Sequence, residues 1–103
     1  VVLKLGSTTI ATIAARDPAT SDVFHLRADI LVRSTGASGA VRAASEHLFA
    51  AAGGYVAGAA VVGTASVTVD TTADNLLDLV GTWSVANAGN VARLDAMTVE
   101  IIG

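Results

Sequence analysis

The feature that most constrains the fold is a hydrophobic period of two that recurs along the chain. In residues 23–34, apolar side chains alternate with mostly polar ones, and the same alternation returns at 77–84 and at 97–102. This period places alternate side chains on opposite faces of a β-strand, whereas a helix repeats every 3.6 residues. These segments, with turn-forming residues between them, predict an antiparallel β protein.

Further β-rich runs bring the expected total to about seven strands. They occupy residues 1–5, 8–15, 40–49 and 64–72. A loop is expected at 16–22, around the single proline. The glycine-rich residues 50–63 are expected to form a loop or irregular crossover, with one helical turn near 48–52, because each glycine costs a helix interior up to about 1 kcal/mol. Without βαβ alternation, residues 1–103 are predicted to be one domain, an antiparallel β-sandwich or jelly roll.

The composition favours self-association. Hydrophobic residues make up 52% of the chain and charged residues only 15%, against about 25% charged in ordinary soluble domains. Mean hydropathy is +0.63, yet no unbroken apolar run reaches the roughly 18 residues of a membrane-spanning helix. We therefore expect no membrane partner and much apolar surface buried between subunits.

The charge and the cysteine count exclude several functions. The net charge is −3 with only six basic residues, so we expect no nucleic-acid partner. The chain has no cysteine, which removes disulfides, zinc–thiolate sites and thiol catalysis.

The alternation predicts which side chains face inward and which meet other subunits. The expected core face carries Phe24, Leu26, Ala28, Ile30 and Val32 of one strand and Leu77, Leu79 and Trp83 of another. The opposite face carries apolar residues where a monomer would prefer polar ones, and two arginines suited to ion pairs between subunits. The candidate assembly residues are Leu31, Arg27, Arg33, Val80 and Ile102.

No catalytic, cofactor or metal site is predicted. His25 and Asp29 share a strand face but lie about 13 Å apart along it, so they cannot bind one ion, and both histidines, His25 and His47, are expected at a surface or interface. Asp70, with its neighbouring threonines, is better explained by turn capping than by calcium binding or glycoside hydrolysis.

Two glycine motifs and a serine also lack the context that their chemistry requires. Gly54 and Gly58 have G-x-x-x-G spacing, but their flanks have too few large apolar residues for membrane-helix pairing. Gly58 and Gly63 have the glycine spacing of a phosphate-binding loop, but the lysine that must follow is missing. Ser38 misses the nucleophile-elbow spacing by one residue.

Several short motifs occur in a characteristic order. Leu26-Arg-Ala-Asp-Ile-Leu-Val-Arg runs into the turn Ser34-Thr-Gly-Ala-Ser-Gly39, followed by Val69-Asp-Thr-Thr72, Leu77-Asp-Leu-Val-Gly-Thr-Trp83 and Thr98-Val-Glu-Ile101. Over residues 23–103 this ordered set resembles the jelly-roll domain of virion structural proteins of tailed bacteriophages and related gene-transfer-agent particles. Relatives often have further strands before the equivalent of Val1 and a shorter connection at 50–63.

The resemblance implies a non-enzymatic, commonly trimeric subunit. Its expected place is in the virion, assembled in the host cytoplasm, as a head spike, fibre, collar or decoration protein beside other virion proteins. An alternative is a carbohydrate-binding adhesion module, because loops on a rigid sandwich often carry recognition. The candidate ligand loops would then be the 35–39 turn, Tyr55, and the turn containing Asn87 and Asn90, contacting host-surface glycan.

Overall fold

The computed structural model describes residues 1–13, 23–51, 54–57, 61–62 and 65–102. Within these ranges the structure is all-β and consists of two antiparallel sheets. The strands are β1 (Val2–Leu5), β2 (Thr8–Thr12), β3 (Val23–Ser34), β4 (Gly39–Ala51), β5 (Gly54–Ala57), β6 (Val61–Val62), β7 (Val67–Val69) and β8 (Leu77–Val80). The predicted loop at 16–22 lies outside the described residues.

The first sheet has the order β2-β1-β8. β1 and β2 form a tight hairpin at Gly6–Ser7, with Leu5 opposite Thr8, and Gly6 has the positive φ of 60° that glycine tolerates best. A register shift opposite Leu3 and Lys4 leaves one extra residue in β2. This bulge lets the consecutive residues Ile10 and Ala11 both be buried, which a regular strand would not allow.

The second sheet is built around β4. β3 pairs along one edge of β4, whereas β5, β6 and β7 pair in succession along the other edge. These three short strands therefore act as one interrupted strand. Relative to β4, this interrupted strand has one extra residue between Ala57 and Val61 and two more between Val62 and Val67. Val61 accordingly pairs with Ser45, and Val67 pairs with Val41.

The two sheets face each other across a small core. The buried cluster consists of Leu3, Ile10, Ala11, Val41, Ala43 and Val69, so residues of β1 and β2 pack against β4 and β7. The predicted antiparallel β-sandwich is confirmed. It has six strand positions rather than about seven, because β5–β7 share one edge and because residues 81–102 form no strand.

Three local predictions were wrong. Residues 48–51 continue β4 and form no helical turn, and β5 and β6 lie where a loop was expected. The middle strand of the C-terminal region ends at Val80 instead of reaching residue 84. The expected last strand, 97–102, is irregular and exposed, because a strand needs a hydrogen-bonded neighbour and no described strand lies beside it.

Candidate functional site

The 69–72 loop, at the end of β7, is held by hydrogen bonds to the 34–39 turn between β3 and β4. The Gly36 N–H donates to the Thr71 hydroxyl at 2.8 Å, and the Thr71 N–H donates to the Gly36 carbonyl at 3.0 Å. Gly39 adds a close approach, since a Cβ there would lie 2.8 Å from the Thr71 side chain. The 34–39 turn and the 69–72 loop, two of the ordered motifs in the sequence, are thus in direct contact.

Asp70 caps its own loop, as the sequence predicted. Its carboxylate accepts hydrogen bonds from both the hydroxyl and the N–H of Thr72, while the Asn75 side-chain amide donates to the Asp70 carbonyl at 2.8 Å. The Thr72 hydroxyl and then its N–H hold the pKa of Asp70 below its ordinary value, because both hydrogen bonds favour the ionised carboxylate. The carboxylate is therefore used in building the turn.

The two histidines occupy different environments. His25 is exposed on β3, as expected, but His47 is only 1% exposed, so the surface prediction for His47 was wrong. The alternation of β4 explains its burial, since His47 shares the inward face with Val41, Ala43 and Ser45. Its ring centroid lies 6.2 Å from that of Phe24. No cluster of three or more potential metal ligands occurs within the described ranges.

The candidate assembly residues do not lie on a single sheet. Leu31, Arg27 and Arg33 are exposed on β3 of the second sheet. Val80 is half-buried at the end of β8 in the first sheet, opposite Val2. Ile102 is exposed and belongs to no strand. Arg27 already forms an ion pair with Asp29 at 3.6 Å on its own strand, and Leu31 is 54% exposed.

A shallow depression lies in the C-terminal region beyond β8. It has a volume of about 480 Å³ and is lined by Trp83, Ala86, Asn87, Ala88 and Asn90. Two Asn side chains fix the turn beside it. Asn87 Oδ1 accepts a hydrogen bond from the Gly89 N–H, and the Asn90 side-chain amide donates one to the Val85 carbonyl at 2.7 Å. The structure therefore groups two of the three predicted ligand residues.

Trp83 was expected in the core, and the structure contradicts this. It is 46% exposed, because β8 ends three residues earlier and the alternation no longer continues a sheet. Sequence reasoning missed it as a surface residue; the signal available was Gly81, which interrupts the run of side chains that pack in a strand. The third predicted ligand residue, Tyr55, has its backbone in β5 rather than in a loop, and its side chain lies outside the described part of the chain.

Residues 91–102, called the tail below, expose most of their apolar side chains. The exposed set contains Val91, Leu94, Met97, Val99, Ile101 and Ile102. The predicted alternation of Met97, Val99 and Ile101 with Thr98 and Glu100 is present in the sequence, but this stretch is unpaired in the structure. Within the tail, Arg93 and Asp95 form an ion pair.

Comparisons with known proteins identify no relative. No family model, no curated protein and no solved structure matches this chain. Within the described residues, no helix has the length and apolar character needed to span a bilayer.

Proposed function

We propose that this chain is a structural subunit that works by self-assembly, as part of a phage-like particle. In this role it is a head spike, fibre or decoration subunit of the virion. Its partners are copies of itself, most simply in a homotrimer, and other virion proteins. It carries out no catalytic step; its mechanism is the packing of exposed apolar surface between subunits.

The observation that carries the proposal is an excess of accessible surface. The chain exposes 7586 Å², whereas a compact monomer of 10.2 kDa is expected to expose about 5,300 Å². The excess of about 2,300 Å² exceeds the roughly 800 Å² that each partner contributes to a standard protein interface. It is large enough for contacts with more than one other subunit.

The chemical character of this surface points the same way. Among the described residues, fifteen large apolar side chains are exposed, while seven apolar side chains are buried. Single exposed apolar residues are ordinary, but so large a set on a small chain is typical of an interaction surface. Covering it with other subunits stabilises the assembly in proportion to the apolar area removed from water.

The particle context rests on the resemblance of the ordered motifs. The contact between the 34–39 turn and the 69–72 loop explains why these two motifs occur together in one sequence, since the residues of each hold the other in place. Gly39 permits the close approach of the two segments, Thr71 supplies the hydroxyl that joins them, and the φ of +123° at Gly36 favours glycine in the turn.

The proposal is tested by the native mass of the purified chain, measured by light scattering across a concentration series. We expect an oligomer, with three copies as the simplest result. Leu31→Asp should lower the mass while the β-sheet circular dichroism is retained, because it places a charge on the exposed apolar end of β3. Leu31→Met is the matched control and should keep the native mass. A wild-type chain that remains a monomer throughout would contradict the proposal.

A second candidate function, glycan binding, is favoured by the depression around Trp83. An exposed indole beside two asparagine side chains offers a ring for stacking and polar groups for hydroxyls. Trp83 is the only tryptophan, so its fluorescence reports directly on this site. A sugar that binds there should shift the emission saturably, and Asn87→Ala should weaken binding. A glycan panel that leaves the emission of the assembled protein unchanged would contradict this candidate.

A further inference from the structure

Residues 97–102 of the tail have a strand's side-chain pattern, but the tail has no strand neighbour among the described residues. Ile101 is 95% exposed and Val99 is 62% exposed, and no backbone pairing involves residues 91–102. An extended segment that leaves its N–H and C=O groups to water gains nothing from its apolar side chains. Pairing with a sheet edge would give the backbone groups hydrogen-bond partners and would bury the apolar side chains.

The outer edge of β3 is long enough, and its exposed side chains apolar enough, to accept the tail as a neighbouring strand. β3 has 12 residues and pairs only with β4 among the described strands, so none of them covers its outer edge. Its C-terminal half exposes Ile30, Leu31 and Val32. An open edge carrying exposed apolar residues is a template for the addition of another strand.

The charges of the two segments are complementary. On β3, Arg27 is paired with Asp29, which leaves Arg33 without an ion-pair partner among the described residues. In the tail, Arg93 is paired with Asp95, which leaves the negative charge of Glu100 without a partner among the described residues. The residual charges of the two segments are therefore one positive and one negative, each near the end of its segment.

These charges also select a register. With Glu100 opposite Arg33 in parallel orientation, Val99 lies beside Val32 and Met97 beside Ile30, so that exposed apolar side chains share one face. In antiparallel orientation the same charge pair would leave only four residues of overlap, because Ser34 ends β3 and Ile102 ends the described tail. The parallel register overlaps over eleven residues, 91–101 of the tail with 24–34 of β3.

We propose that the tail of one copy adds as a strand to the outer edge of β3 in a second copy, with Glu100 opposite Arg33. This inference rests on the proposed self-assembly and names the contact through which it occurs. The contact is heterologous, since a donor segment meets a different acceptor edge, and a heterologous contact gives a ring where its rotation closes, as a homotrimer requires. Each subunit then uses two contacts, one as donor and one as acceptor.

The test is a disulfide between copies, which is clean because the natural chain has no cysteine. Chains carrying only Val32→Cys are mixed with chains carrying only Val99→Cys and oxidised mildly. Neighbouring strands lie about 4.8 Å apart, within the Cα separation of about 4.4–6.8 Å that a disulfide spans. Both positions are exposed, so neither substitution disturbs the core. Rapid formation of the mixed dimer is the expected result.

The matched control is Val32→Cys mixed with Val91→Cys. Val91 is also exposed, but it lies eight residues before Val99, about 26 Å away along an extended chain, so this mixture should cross-link at least tenfold more slowly. Equal rates for the two mixtures would overturn the register. An oligomeric wild type in which Val32→Cys and Val99→Cys form no bond would overturn strand addition while leaving self-assembly intact, whereas a monomeric wild type would overturn both.

A charge-reversal cycle gives a second readout. Arg33→Glu and Glu100→Arg should each weaken the oligomer, because each places like charges opposite one another. The double variant should recover most of the wild-type mass at the same protein concentration. Loss of assembly in the double variant equal to the combined loss in the two single variants would contradict the pairing of these residues.

Discussion

Replacing Thr71 by valine tests the contact between the 34–39 turn and the 69–72 loop. Valine has nearly the shape of threonine but no hydroxyl, so the substitution removes the acceptor of the Gly36 N–H, which lies 2.8 Å from it. The substitution also removes the longer hydrogen bond that the Thr71 hydroxyl donates to the Gly36 carbonyl at 3.3 Å, but this carbonyl keeps hydrogen bonds from the N–H groups of Gly39 and Thr71, both at 3.0 Å. The chief loss is therefore one partly buried N–H left without its acceptor.

The expected cost follows chiefly from the N–H left without an acceptor. A hydrogen bond contributes about 0.5–1.5 kcal/mol, and an unsatisfied buried group costs about 1–3 kcal/mol. Because the site is only partly buried, we expect Thr71→Val to lower the free energy of unfolding by about 1–2 kcal/mol. In a domain of this size each kcal/mol corresponds to about 4–8 °C in Tm.

The assay is urea denaturation at a fixed protein concentration, since assembly makes the apparent stability concentration-dependent. Thr68→Val is the matched control, because Thr68 is exposed on β7 and its hydroxyl makes no hydrogen bond to the described residues. Its effect should stay within about 0.5 kcal/mol. A Thr71→Val variant as stable as the wild type, or no less stable than Thr68→Val, would refute the turn–loop contact as a stabilising one.

Two further predictions concern the same end of the sandwich. Gly39→Ala should destabilise the fold by more than about 1 kcal/mol, because its Cβ would lie 2.8 Å from the Thr71 side chain and 2.9 Å from two backbone oxygens; urea unfolding no different from wild type would show that the backbone yields freely. Asp70 has a lowered pKa when folded, so its contribution is present above the unfolded pKa and is lost as pH falls through the folded one. The stability advantage of wild type over Asp70→Asn should therefore shrink as pH is lowered below about 4, with Asp74→Asn as the control for loop charge; an advantage independent of pH would refute this.

Local patterns predicted the central hairpin well. β3 has the predicted bounds 23–34, and its partner β4 begins one residue before and ends two residues after the predicted 40–49. Alternation and a glycine-containing turn are enough here, because the two strands are joined directly and pair with each other. The loop capping by Asp70 was also predictable, since an Asx turn depends only on residues two positions apart.

Nonlocal pairing was not predictable in the same way. The alternation of residues 97–102 gives strand propensity, but a strand forms only where an edge of another strand is within reach, and periodicity does not say which edge that is. The same limit explains Trp83, whose inward placement required β8 to extend past Val80. The strands β5 and β6 were missed because glycine and alanine dominate residues 50–63 and hide the pairing with β4.

Burial was misjudged where small residues occupy an inward face. His47 lies on the face of β4 that also carries Ala43 and Ser45, and this face gives a weak hydrophobic signal. The buried Ser45 hydroxyl has no hydrogen-bond partner among the described residues, so this part of the core is polar as well as small. The candidate assembly residues remain predictions, since their roles depend on contacts between copies.

The measurement that tests the central claim most directly is the native mass of the unmodified chain, determined by light scattering across a wide concentration range. Self-assembly through the exposed apolar surface predicts a stable mass of several subunits, most simply three, with little monomer at high concentration. A mass equal to that of one 10.2 kDa chain at every concentration would contradict the claim.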